Sequence, residues 1–155
     1  MSGYDPTAPK TRRYPRVTTM DNILSMPRLE FKKGIDTAIF LSRELDDARY
    51  FRQGVCFQEP DHEPYQWDQT NFDETHWVLK GKVRLRVRDA KGREVVLEAK
   101  EGEHIYLPAG YTYTLEPTGV ETAFLWTSGP SPRVGLFEAP DYSKQLLALR
   151  KEAEA

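Results

Sequence analysis

A chain of 155 residues fits one domain and is long enough to bury a real core. Twenty-two basic against 24 acidic side chains leave a formal charge of −2, which argues against a dedicated nucleic-acid surface. No apolar run approaches the length of a membrane span and no signal peptide opens the chain, so a soluble, cytoplasmic protein with no membrane partner is expected.

The first twenty residues depart from this balance, with Lys10, Arg12, Arg13 and Arg16 set against Asp5 alone. The stretch "YDPTAPKTRRYPR" reads as a solvated or partner-draping arm. "MDNILSMP" predicts one short helical turn, capped by Asp21 and stopped before Pro27. Residues 1–28 therefore precede the body of the domain, which runs over 29–139. It carries ten short candidate strands between turn signals: "TAIFL", "YFRQGVCFQ", "YQWDQT", "ETHWVLK", "KVRLRVR", "EVVLEA", "HIYLP", "YTYTLE", "TAFLWTS" and "RVGLF". With so little helix between them, they predict an all-β sandwich or barrel.

The clearest alternation sets Val83, Leu85 and Val87 against Arg84, Arg86 and Arg88, one apolar face and one wet face. "DAKG" (89–92) then supplies a hairpin turn with Gly92 in a left-handed position. Cys56 is the lone cysteine, and in "GVCFQ" it reads as a small buried hydrophobe rather than a nucleophile. Residues 140–155 predict a C-terminal helix capped by Asp141 or Ser143, with Leu146, Leu147 and Leu149 as an apolar stripe.

"NFDETHWVLKGKVRLRV" (71–87) holds the feature that asks for a function. Glu74 and His76 are two apart on a strand and so share a face, which continues through Val78 into an apolar run. A hydrogen-bonded pair lining a polar pocket would explain them, and so would an acid–base site. Burying a carboxylate is costly where valine would do, which favours a site. His62, in "PDHEPY", is expected in an exposed loop, and His104 on a surface strand. The aromatic residues Tyr65, Trp67, Phe72, Trp77, Tyr106, Tyr111, Tyr113 and Trp126 are expected mostly in the core.

Two punctuation patterns line up around that pair. Glu74 is followed after six residues by Gly81, and Gly102 after five by Pro108, then Gly110, in "GEHIYLPAG". The combination resembles the two motifs of the cupin superfamily, double-stranded β-helix barrels of the jelly-roll type. Within it, "YQWDQTNFDETHWVLKGKVRL" (65–85), "AKEGEHIYLPAGYTYTL" (99–115) and "AFLWTSGP" (123–130) are similar to the EutQ-like group of ethanolamine utilisation. EutQ-like proteins of those pathways have been assigned an acetate-kinase role. It is not carried over, because this chain has no glycine-rich phosphate loop of the usual kind.

Metal-binding cupins place an H-x-H pair upstream of the glutamate and a third histidine after the P-x-G turn. Here the resemblance puts the pair on Trp67 and Gln69, or on Asp68 and Thr70, and the third histidine on Tyr113. Of the four ligands Glu74 alone survives, which removes most affinity for a transition metal. Glu74 and His76 remain possible ligands for a weakly bound divalent metal, with Asp68, Gln69 or Tyr113 completing the set.

The reading is a single-domain cupin barrel with an N-terminal arm and a C-terminal helix, taking a small-molecule substrate in its pocket. A lyase, isomerase or hydrolase using proton transfer is expected. Glu74 is the base or metal ligand, His76 its partner or the acid, and Tyr113 the donor to oxyanion charge. Trp67, Gln69, Asp68 and Tyr65 are the candidate substrate-binding residues. A non-catalytic binding cupin and a metal-dependent enzyme with a Glu/His/Tyr ligand set are the alternatives. A homodimer is expected, with the arm and the terminal helix suited to crossing onto a partner.

Overall fold

A computed structural model describes residues 14–130 and Ala148. Residues 1–13 of the expected arm, the candidate strand "RVGLF" and the helix over 140–155 (Ala148 apart) lie outside the described residues. In chain order the elements are α1 (Met20–Ser25), β1 (Leu29–Lys32), β2 (Ile35–Leu41), α2 (Arg43–Asp46), β3 (Arg52–Gln58) and β4 (Tyr65–Gln69). There follow β5 (Asp73–Lys80), β6 (Lys82–Arg88), β7 (Glu94–Lys100), β8 (His104–Leu107), β9 (Tyr111–Glu116) and β10 (Thr122–Gly129).

The strands form two antiparallel sheets, one ordered β1-β2-β3-β10-β5-β8 and the other β4-β9-β6-β7. One apolar core takes side chains from both: Val78, Ile105, Leu107, Phe124 and Trp126 from the first, Trp67, Val83, Leu85, Tyr113 and Leu115 from the second. This is the all-β, jelly-roll arrangement expected from the run of short strands. The runs from "TAIFL" to "TAFLWTS" correspond in order to β2 through β10.

Local chemistry explains the elements that were not anticipated. β1 is four residues long and ends at a turn through Gly34, too short to show an alternation. α2 is one turn, set by Ser42, whose hydroxyl accepts from the Leu45 N–H at 3.0 Å. The expected cap of α1 is corrected from Asp21 to Thr19. The Thr19 hydroxyl accepts from the Asn22 N–H at 3.1 Å, and the Asn22 side chain accepts from the Thr19 N–H at 3.0 Å. The helix stops at Met26, before Pro27.

The β5–β6 turn needs glycine: Gly81 has φ +74°, and a Cβ there would run into the Glu121 carbonyl. Gly54 is required for another reason, since the ring of Trp126 lies against the space its Cβ would fill.

The arginines of β6 do form a wet face. Arg84 Nε donates to Glu98 at 2.8 Å and Arg86 Nε to Glu116 at 2.7 Å. The six-stranded sheet instead carries a second apolar cluster on its outer face. There Ala38 and Val55 are buried with Ile23 of α1, and Phe40, Phe57, Leu79, Ala123 and Leu125 are half-buried around them.

Candidate functional site

Strand register brings the site together on the inner face of the six-stranded sheet. Glu74 on β5 stands opposite Ser128 of β10, which stands opposite Arg52 of β3. One step deeper His76, Trp126 and Gly54 are aligned, and deeper still Val78, Phe124 and Cys56. The inner face thus grades from polar at one end to apolar further in. Glu74 and His76 fall where the gradient changes.

The pair is in direct contact, with His76 Nε2 2.8 Å from Glu74 Oε2. A carboxylate can only accept, so Nε2 carries the proton and donates. The His76 side chain is 1% exposed and that of Glu74 is 13%, which makes Glu74 the wetter end of the couple. The imidazole stacks on Phe124 with centroids 4.1 Å apart, and its Nδ1 is buried with no hydrogen-bond partner. Leaving a buried nitrogen unpaired costs about 1–3 kcal/mol.

The opposing sheet supplies an aromatic and amide wall. Trp67 is buried and stacks on Tyr65 at 5.3 Å and on Tyr113 at 5.5 Å; Tyr65 in turn stacks on Phe31 at 4.8 Å. Gln69 is fully buried and spends both ends of its amide. Its Oε1 accepts from Trp67 Nε1 at 3.2 Å, and its Nε2 donates to the Leu107 carbonyl at 2.6 Å. Leu107 is the register partner of Glu74, so this bond ties the wall to the acid. Tyr113 donates its hydroxyl proton to the Pro108 carbonyl at 2.6 Å. Burial pushes that phenol well above its ordinary range, with Tyr111 and Glu74 adding to the shift. The oxyanion-donor role expected of Tyr113 would require breaking a short bond that the fold already uses.

Other expectations are corrected by position. Asp68 points away from the barrel, exposed, and accepts from the Thr112 hydroxyl at 2.6 Å. Successive strand residues take opposite faces, so Asp68 and Gln69 could not both reach one cavity. His62 is buried, not exposed: its Nδ1–H donates to the Glu63 carbonyl at 2.7 Å, and Nε2 accepts from the Gln58 amide at 2.7 Å. Trp77, Tyr106 and Tyr111 are exposed rather than core. Cys56 is buried as expected, and burial raises its thiol well above the usual range.

Arg52 and Ser128 are the site residues that sequence reading missed. Both are buried, with Arg52 Nη2 3.5 Å from Ser128 Oγ and the guanidinium 5.6 Å from the Trp126 ring. A signal was present in "RQGVCFQ", where parity puts Arg52 on the same face as Gly54 and Cys56.

No protein-family model matches the chain, and no curated protein matches it. Solved structures do. Oxalate decarboxylase of Bacillus subtilis aligns with a TM-score of 0.61 and 18% identity, over 77% of this chain and 32% of that one. A second oxalate decarboxylase structure aligns at 0.60 and 18%, over 70% and 28%. The EutQ protein of Clostridium difficile aligns at 0.51 and 19%, over 67% of this chain and 68% of that one. The fold is the cupin fold. The chain spans less than a third of the oxalate decarboxylases, and at these identities the likeness carries architecture alone.

The Bacillus subtilis oxalate decarboxylase has Mn(II) centres, so the donor set here bears comparison. Among the described residues no three of His, Cys, Asp and Glu come together. Glu74 and His76 are bonded to each other, Gln69 has spent its amide, Asp68 faces outward, and the Tyr113 proton is committed and hard to remove. One free imidazole nitrogen does not hold a divalent ion by itself. The described residues therefore do not fit a Mn(II) centre, and the expected Glu/His/Tyr ligand set is not assembled.

Proposed function

We propose that this chain is a small-molecule cupin enzyme that moves a proton at the inner end of its barrel, using His76 and Glu74 as a dyad. The observation that carries the reading is the buried His76 Nδ1, without a partner, on a ring whose other nitrogen is held by a carboxylate. In such a couple the carboxylate fixes the tautomer and leaves a bare lone pair on the far nitrogen. The proton-accepting atom is then Nδ1, and Glu74 orients the ring and stabilises the imidazolium. That reverses the roles first expected of the two residues.

The substrate is a small organic molecule whose acidic C–H or O–H proton reaches Nδ1 while its flank rests on Phe124 and Trp126. Proton abstraction next to a carbonyl is the reaction class that fits, as in lyases and isomerases. The cytoplasm is the proposed location. Trp67, Gln69 and Tyr113 form a wall that shapes the pocket and takes no proton.

Proton transfer has a readout that does not require knowing the product. The protein is incubated in D2O with a panel of small aldehydes, ketones and 2-oxo acids, and deuterium incorporation is followed by NMR. At least one compound should acquire deuterium, and both His76→Gln and Glu74→Gln should slow the exchange by about a hundredfold or more. Exchange should persist in chelator. Compounds that bind in the barrel without exchange or turnover would make this a non-catalytic binding cupin. Chelator-sensitive exchange would return the metal-dependent alternative.

A further inference from the structure

On the side of the six-stranded sheet away from the dyad, the outer apolar cluster is left partly open as a groove of about 690 Å³. Sites for small organic molecules usually measure about 300–1,000 Å³. Strand register lays the floor in one row. Glu30 of β1 stands opposite Asp36 of β2, Asp36 opposite Phe57 of β3, and Phe57 opposite Ala123 of β10. Val55 and Leu79 widen the apolar part of this floor. One wall is α1, where Met20 and Leu24 are 45% and 50% exposed beside that apolar surface. Neighbouring strands are about 4.8 Å apart, so the floor passes from acid at Asp36 to hydrocarbon at Ala123 over roughly 10 Å.

The acid end is short of positive charge. Four carboxylates, those of Glu30, Asp36, Glu59 and Glu121, line the groove against two cations, Arg28 and Lys80. Lys80 is paired with Glu121 at 3.4 Å and Arg28 with Asp36 at 3.5 Å, which leaves Glu30 and Glu59 without an ion pair among the described residues. The Arg28 contact is long for a charged pair, because the guanidinium lies over the Phe57 ring, 3.8 Å from its centroid. Asp36 Oδ1 is buried and accepts no hydrogen bond. We propose that this groove binds a small organic cation, a primary ammonium on an apolar body, at a site separate from the barrel interior. The ammonium donates to Asp36 Oδ1 within the field of Glu30 and Glu59. The body lies across Phe57 and Ala123, against Leu24 and Met20. A neutral or anionic molecule of the same shape gains the floor without the charge complementarity.

Titration of the isotope-labelled full chain at low salt, followed by its amide NMR shifts, tests this with octylammonium, octanol, octanoate and methylammonium. Octylammonium should move the amides of Asp36, Phe57 and Ala123. It should bind about tenfold or more tightly than octanol, which has the body alone, and than methylammonium, which has the charge alone. Octanoate should bind more weakly than octanol. Asp36→Asn preserves the size of the side chain and Glu30→Lys changes an exposed one, so both leave the fold intact. Each should bring octylammonium down to about the affinity of octanol. Equal affinity for the three octyl probes would overturn the proposal, as would no binding, or shifts confined to the surroundings of His76 and Trp126. Octylammonium binding that either substitution leaves unchanged would overturn it too.

Discussion

Away from the barrel interior, β6, β7 and β9 present Arg84, Arg86, Glu94, Glu98 and Glu116, linked in ion pairs. The six-stranded sheet presents Ala38, Phe40, Val55, Phe57, Leu79, Ala123 and Leu125, with Ile23 of α1 laid over part of them. Exposed ion pairs contribute about 0–1 kcal/mol each, whereas burying one aliphatic side chain contributes about 1.5–3 kcal/mol. The outer face of one sheet is thus nearly neutral for stability, while that of the other is a second core. The strands β3 and β10, which carry Arg52 and Ser128 and flank the site, are packed on both faces. A site that must hold an acid against a buried imidazole gains rigidity from this arrangement.

The hardest test of that contrast is Val55→Asp. It places an unpaired carboxylate in a fully buried position beneath α1 and should destabilise by about 3 kcal/mol or more, read from the urea midpoint. A loss under about 1 kcal/mol would mean that the outer face is not a core.

Gln69→Leu probes the link between the two sheets and should have an intermediate effect. It removes a bond to the Leu107 carbonyl and leaves that acceptor and the Trp67 N–H unpaired, for a loss of about 1–3 kcal/mol. A neutral substitution would show that water replaces the amide at no cost.

The smallest effect is a pair of opposed pH slopes. On the six-stranded side, burial raises the Asp36 carboxyl above its ordinary range despite Arg28, whose Nη1 is 3.5 Å away; Glu30 and Glu59 add to the rise. A raised acid means that the folded state binds the proton more tightly. The contribution of Asp36 is therefore present below its unfolded pKa and lost as pH climbs through the folded one. On the four-stranded side, the hydrogen bond from Arg84 and the charge of Lys82 lower Glu98, whose contribution is present above its unfolded pKa and lost as pH falls through the folded one. Carboxyl resonances followed by NMR should titrate above the ordinary aspartate range for Asp36 and below the glutamate range for Glu98. Matching midpoints shifted the same way would dissolve the distinction.

Strand parity was enough to put Glu74 and His76 on one face and Trp67 beside Gln69, because a period of two is a local property. Assigning Asp68 to the same pocket followed family spacing against that parity, and it failed for that reason. The meeting of Arg52 with Ser128 was not legible, since the two are 76 residues apart and come together only once β3 and β10 are in register. β1 and α2 were hidden by brevity, each being four residues set by a turn or a cap. The Trp77 and Tyr106 rings resemble core aromatics in sequence, and only sheet order reveals that their face looks outward near the β8 edge.

The three tryptophans have ended up in three different surroundings. Trp77 is 46% exposed, Trp67 is buried in the aromatic wall, and Trp126 is buried as the register partner of His76, its Nε1 donating to Thr37 Oγ1 at 2.9 Å. The chain therefore carries built-in optical probes with separate addresses. Iodide added to the solution reaches Trp77 first and leaves a blue-shifted emission from the other two.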